Sequence, residues 1–259
     1  MRKNNRESEG VKSRSLLKYH LFDRICGSHP FKLAVPNGFV EYSVKTRHDG
    51  EVFYFNFELA QEMGLLPESG RLSLNKKLSQ KLLDTFSIEM INEFELENGM
   101  QVPVTDIRAE KYMATRYLQL QHPGRSGLTS GDGRSLWHGC FTAKGVTWDI
   151  SSCGTGVTCL SSAAAHEGRN FKTGDKNASY GSGRGDLLDG VGAALMSDIF
   201  HRSQLATERT LLLIEYPDGT SVNVRVAKNL LRPAHFFHHL KQGQYERLKG
   251  AVDYYTRGV

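Results

Sequence analysis

Residues 209–227 do most to limit what this chain can fold into. Two runs, 209–216 and 220–227, flank Pro217-Asp218-Gly219, and Val222, Val224 and Val226 alternate with Asn223 and Arg225. Successive side chains of a strand point to opposite faces, and a short Gly-ended turn joins two strands antiparallel. The segment predicts a β-hairpin with one apolar face, and with Asn223, Arg225 and Lys228 on or near the other.

Further strands are expected between residues 131 and 156. Gly131-Asp132-Gly133-Arg134 opens this segment, and Ser151-Ser152-Cys153-Gly154-Thr155-Gly156 closes it. The runs between mix apolar and polar residues in rough alternation, which suggests strands with one buried face. Glycine lets the backbone approach a ligand closely and take positive φ. Exposed backbone N–H groups beside an arginine suit phosphate. Such glycine pairs also build plain turns, so this segment alone leaves both readings open.

Elsewhere the pattern predicts a short helix over 16–26 and a strand over 39–44. His48-Asp49-Gly50 reads as a hairpin turn into a strand over 52–57, and Gly64 stops a helix over 57–63. Leu78, Leu82, Leu83, Phe86, Met90, Ile91 and Phe94 predict one helix over 78–94 with a core-facing side. Strands are predicted over 102–109 and 112–120. Residues 159–182 are rich in Ser, Ala, Gly, Asn and Lys and read as a mobile, function-bearing loop. A helix over 186–205 carries an apolar stripe of Leu187, Leu188, Val191, Leu195 and Ile199, with Asp186 and Asp189 where the helix dipole favours acids. The last helix, over 235–255, holds His235, His238 and His239, but no carboxylate is placed beside them to make a metal site.

Composition narrows the partners. A net charge of +5 favours anions, or alternatively a basic surface that aids solubility. The cationic residues are scattered rather than striped with aromatics, which ranks nucleic acid last among partners. Four cysteines without a Cys-x-x-Cys pair argue against structural zinc and a disulfide framework, and for a reducing, cytoplasmic compartment. No apolar run is long enough to span a bilayer, so no membrane partner is expected. Residues 1–15 read as a disordered basic leader without the apolar stretch of a secretory signal.

Taken in order, these segments resemble the N-terminal half of the selenoprotein O-like protein adenylyltransferases, a family with an atypical protein-kinase fold. Gly131 to Arg134 match the family's Gly-Asp-Gly-Arg, and Trp148 to Gly156 match its Trp-Asp strand and glycine turn. Ser182-Gly183-Arg184, Leu195, Ser197-Asp198 and Thr207-Glu208-Arg209-Thr210-Leu211 follow the next motifs without a gap. Arg225-Val226-Ala227 and Arg232-Pro233-Ala234-His235-Phe236 match the last. The resemblance runs from about residue 100 to the end.

The resemblance implies an α+β fold: a kinase-like N-lobe of mostly antiparallel β-sheet with packed helices, the C-lobe absent. It divides the chain into the leader at 1–15, an N-terminal α/β extension at 16–99 and a nucleotide-binding lobe at 100–259. It implies ATP as ligand and transfer of AMP to hydroxyls of an unknown protein substrate or partner. It also implies magnesium, whose ligands, like the catalytic base, would lie outside this chain. Gly131, Gly133, Arg134, Ser182, Gly183, Arg225 and Arg232 fall where the family contacts nucleotide.

Cys153 stands at the position of the family's phosphate-pairing lysine, and Ala193 at that of its partner glutamate. A neutral thiol brings no positive charge to a phosphate. Lys172 or Lys176, with Asp189, are the candidates to replace that pair. The alternative is a catalytically dead, pseudokinase-like binding module.

Overall fold

The computed structural model describes residues 17–257 apart from 69–71, 121, 123, 124, 126 and 128, so the leader expected at 1–15 lies outside the described residues. The strands are β1 (Phe39–Tyr42), β2 (Val44–Thr46), β3 (Glu51–Phe55), β4 (Ile88–Met90), β5 (Tyr112–Thr115), β6 (Ser135–Ala143), β7 (Val146–Cys153), β8 (Gly185–Asp186), β9 (Arg209–Glu215) and β10 (Thr220–Ala227). The helices are α1 (Phe31–Ala34), α2 (Phe57–Glu62), α3 (Lys76–Phe86), α4 (Glu93–Glu97), α5 (Ser162–Glu167), α6 (Leu187–Arg202), α7 (Pro233–Lys241) and α8 (Tyr245–Arg257). An eight-stranded sheet runs β1-β5-β6-β7-β10-β9-β3, with β8 against β10, and β2 pairs with β4 in a second sheet. The fold is α+β, and the paired strands are antiparallel.

The hairpin predicted over 209–227 forms, and the strands expected between 131 and 156 form and pair with each other. Tyr216 N donates to Thr220 O at 3.0 Å across the β9–β10 turn, and β6 pairs with β7 from Ser135↔Cys153 to Ala143↔Val146. Val222, Val224 and Val226 are fully buried. Their face of the sheet, with Ile150, Leu212 and Ile214, packs against Leu78, Leu82 and Phe86 of α3 and Leu59 of α2. Asn75 caps α3 by accepting from the N–H groups of Lys77 and Leu78.

The single helix expected over 78–94 is three elements. α3 ends at Phe86, β4 pairs with β2, and Asn92 starts α4 with a reciprocal capping box to Glu95. All three residues of β4 are buried, Glu89 among them, so the strand shows no alternation of exposure and Met90 meets the helical spacing by accident. The turn at Asp49 exists, with φ of 63°, but it joins no hairpin. β2 goes to β4 and β3 to β9, because each strand finds a longer-range apolar partner.

Residues 102–109 are not a strand. Pro103 leads into a 3₁₀ turn at Val104–Asp106, and one bridge joins Ile107 to Lys45. The strand expected over 112–120 is ordered as β5 only to Thr115. The loop expected over 159–182 is folded, with α5, a 3₁₀ segment at Lys176–Ser182, and a small core of Val157, Ala164 and Phe171. The helix expected over 235–255 breaks into α7 and α8 at Gly243, whose φ is 65°. Strands from both sides of residue 100 share the main sheet.

Candidate functional site: an arginine-lined cavity

The ends of β6, β7 and β10 and the start of α7 converge on a cavity of about 170 Å³. Gly133, Arg134, Cys153, Arg225 and Arg232 line it, with Tyr117 and Asp132. Strand register explains the convergence. Cys153 on β7 lies across from Ser135 on β6 and Asn223 on β10, and Arg225 lies across from Ser151. Arg225 and Cys153 thus occupy the same face of the sheet, opposite the valines. Arg232 arrives from outside the sheet, at the N-cap of α7, where Pro233 takes the first helical position.

Two carboxylates set the electrostatics. Glu208 accepts from Arg225 Nη1 at 2.8 Å and lies 3.7 Å from Arg232 Nη2. Arg225 is largely buried, and Ser151 Oγ accepts from its Nη2 at 3.3 Å. Burial works against the Arg225 charge, but Glu208, with Cys153 and Asp132 beyond it, holds its pKa above the ordinary arginine value. Arg232 keeps about half of its side chain exposed, and its guanidinium sits 5.7 Å from the centre of the Tyr117 ring. Arg134 Nη1 donates to Arg184 O at 3.3 Å.

Asp132 anchors the Gly131–Arg134 turn. Its Oδ2 accepts from Thr115 N at 2.9 Å, Thr115 Oγ1 at 2.6 Å and Trp137 Nε1 at 3.0 Å. Thr158 Oγ1 donates to its backbone carbonyl at 2.6 Å. Burial pushes the Asp132 carboxyl up, against the hydrogen bonds from Thr115 and the pull of Arg232 and Arg225. Thr115 Oγ1 also meets His235 Nε2 at 3.0 Å, which ties the turn to α7 and so to Arg232.

Five of the eight residues expected at the site therefore share this cavity, and three do not line it. Gly131 is packed against β5: a Cβ there would lie 2.1 Å from Thr115 O, so the glycine serves close approach of two backbones. Gly183, with φ of 73°, abuts Val157 N in the same way, and Ser182 Oγ accepts from Arg184 N. Lys172, Lys176 and Asp189 are exposed and do not line the cavity, and Ala193 is exposed on α6. Among the described residues no group of three His, Cys, Asp or Glu could hold a metal ion. His235, His238 and His239 are buried packing groups, the last two with ring centres 4.9 Å apart.

Sequence reasoning missed the counter-ion role of Glu208 and the anchor role of Asp132. Both sit inside motifs of the resemblance, yet Glu208 meets Arg225, and Asp132 meets Thr115, each 17 residues away along the chain. Glu208 meets Arg225 only because β9 and β10 pair.

No protein-family model matches the chain. Three curated relatives do, each called protein nucleotidyltransferase YdiU. The protein of Shewanella loihica is 28% identical over 158 residues, covering 57% of this chain and 29% of the relative. That of Shewanella halifaxensis is 29% identical over 170 residues, or 62% and 31%. That of Shewanella pealeana is 28% identical over 186 residues, or 68% and 34%. The chain is similar to the YdiU nucleotidyltransferases. The resemblance to the selenoprotein O-like family is borne out by these matches, and the chain spans about a third of the relatives' length. Among the described residues no helix is long and apolar enough to cross a membrane.

Proposed function

We propose that the arginine-lined cavity takes the phosphates of ATP. In this reading the chain is the nucleotide-binding, kinase-like N-lobe of a selenoprotein O-like protein adenylyltransferase. The observation that carries the reading is the meeting of Arg134, Arg225 and Arg232 with the Gly133 turn around one cavity. Planar guanidiniums grip phosphate oxygens by charge-assisted, often bidentate bonds. The cavity suits phosphate groups and is small for a whole nucleotide, since ligand pockets usually run from about 300 Å³ upward. The rest of the nucleotide extends past Arg232, which also borders a larger cavity of about 990 Å³. Glu208 occupies the arginines in the meantime. Its looser 3.7 Å contact makes Arg232 the one that turns to an incoming phosphate first.

For AMP transfer to a protein hydroxyl, the remaining chemistry lies outside these residues. Magnesium ligands and a base would come from a further region or a partner. The four cysteines are free, in keeping with a reducing, cytoplasmic setting. A second reading, nucleotide binding without transfer, is favoured by Cys153 lining the cavity where the family has lysine and by the exposure of Ala193.

Calorimetry with ATP tests the site. Removing a charged hydrogen-bonding partner costs about 1.5–3 kcal/mol, so Arg232→Ala should weaken ATP by about tenfold or more, and Arg225→Ala with Arg232→Ala should abolish binding. Unchanged affinity in a folded double variant refutes the placement. Labelled ATP then separates the two readings: a labelled protein product supports transfer, and binding without product supports the silent module.

A further inference from the structure

The sheet face opposite Arg225 borders a second cavity, of about 990 Å³, and two side chains of its wall hold buried donors without acceptors. Arg209 lies across from Val226, and Val226 lies across from Ile150, two residues on from Trp148. Opposed residues, and residues two apart on one strand, share a face. Arg209, Val226 and Trp148 therefore stand together on the valine face, and all three line the cavity. Arg209 and Trp148 are each 5% exposed. Arg209 Nη1 pairs with Glu62, yet its Nη2 has no hydrogen-bond partner, and neither has Trp148 Nε1. Buried donors in folded proteins nearly always have acceptors, so two orphans on one cavity wall point to a group that the cavity receives.

The rest of the wall says what kind of group. Both orphans donate, so the group must accept, and a carboxylate offers two oxygens to two donors. β7 and β9 flank β10, so Arg209 and Trp148 stand on either side of Val226 and can hold one group between them. The charges favour an anion, since Arg209, Lys228 and Arg232 outnumber Glu62 and Glu208 in the lining. Glu62 is taken by Arg209, and Glu208 by Arg225 and Arg232, which leaves Lys228 without an ion pair among the described residues. Leu205, Leu230, Leu231 and the Tyr255 ring supply apolar wall. The volume is at the upper end of the usual range for ligand pockets, about 300–1,000 Å³, so the group can carry an apolar body of many atoms.

We propose that this cavity binds an amphipathic organic carboxylate, of the class of a medium-chain fatty acid. Its oxygens accept from Arg209 Nη2 and Trp148 Nε1, Lys228 adds charge from the rim, and its apolar body lies along Leu205, Leu230 and Leu231. The proposal does not depend on the nucleotide reading, because Arg225 and Cys153 line the phosphate cavity on the other face of the sheet. Arg232 borders both cavities, which makes ATP the control for overlap between them.

Calorimetry on the full chain with octanoate, below its micelle concentration, tests it. Saturable binding of one octanoate is expected, with a dissociation constant on the order of 0.1 mM for a ligand of about ten heavy atoms. Octylammonium, with the same chain and the opposite charge, should bind at least about tenfold more weakly. Trp148→Phe removes the indole donor and keeps a ring, and it should weaken octanoate by about three- to tenfold. Lys228→Gln should do the same, and its exposed position carries the test should the tryptophan variant fail to melt as a folded protein. Saturating ATP should leave the octanoate affinity within about twofold. No saturable binding overturns the proposal, as does equal binding of octylammonium, which would make the cavity a plain apolar gap. Unchanged affinity in both folded variants overturns it too. Competition by ATP would give the two donors to the nucleotide and likewise overturns it, whereas ATP that fails to bind anywhere counts against the phosphate site alone.

Discussion

Helices α3 and α6 cover opposite faces of one sheet, and they do it differently. α3 buries Leu78, Leu82 and Phe86 against Ile214, Val222 and Val224. α6 lies on the face that carries Leu213 and Ser221, and the residue it buries there is Gly190. Its leucines and isoleucine look outward. Both helices have an apolar stripe in sequence, so the stripe reports that a helix has something to cover. It does not report whether the covering surface lies within the same fold. α3 belongs to a core that is closed, and α6 belongs to a surface that is still open.

Four measurements break or sharpen this contrast. The largest effect is expected from acid. His138 packs its ring against Phe86 at 5.3 Å on the α3 side, and burial with Arg108 nearby lowers its pKa from 6.5 to about 3. His235, behind the arginine cavity, is likewise lowered to about 3, by burial first. A depressed folded value means that both rings are neutral in the fold. The stability they contribute is present above pH 6.5 and is lost as the pH falls toward 3. Denaturant unfolding at pH 7, 6, 5 and 4 should show a loss of several kcal/mol across roughly that range. A flat profile would mean that neither ring is held neutral by the closed core.

Next comes Leu82→Ala, which empties a fully buried site and should cost about 2–5 kcal/mol in the same assay. Leu188→Ala on α6 should change stability by no more than about 0.5 kcal/mol, since the side chain is 79% exposed. Equal costs for the two would erase the distinction between the faces. The smallest effect separates two glycines on α6. Gly192→Ala meets open space and should stabilise by about 0.5–1 kcal/mol through helix propensity. Gly190→Ala must displace Leu213 and should gain less or lose. Thermal melts of both check the order.

Much of the fold was legible where one face of an element is buried and the other wet. The β9–β10 hairpin and the strands β6 and β7 show period-two alternation and form as read. Legibility failed where both faces are buried, as at β4, or where proline and an exposed position break a strand-like run, as at Pro103 and Val104. The segment at 159–182 read as a loop because small residues carry little pattern, yet Phe171 and Ala164 suffice to fold it over Val157. At the site, Arg134, Cys153 and Arg225 were named through the family resemblance, and alternation along 220–227 gave the face on which Arg225 stands. Arg232 joins them through the Asp132–Thr115–His235 chain of hydrogen bonds, which spans residues 115 to 235.

The sequence by itself determined the β9–β10 hairpin, the phase of its alternation and so the side of the sheet on which Arg225 stands. Period is local, and a local rule suffices where the turn and both strands agree. Only the tertiary structure decided that β2 and β3 part company, that Glu208 closes on two arginines, and that the apolar line of α6 points outward. Those outcomes depend on which distant surface each face meets, and no spacing along the chain records that choice.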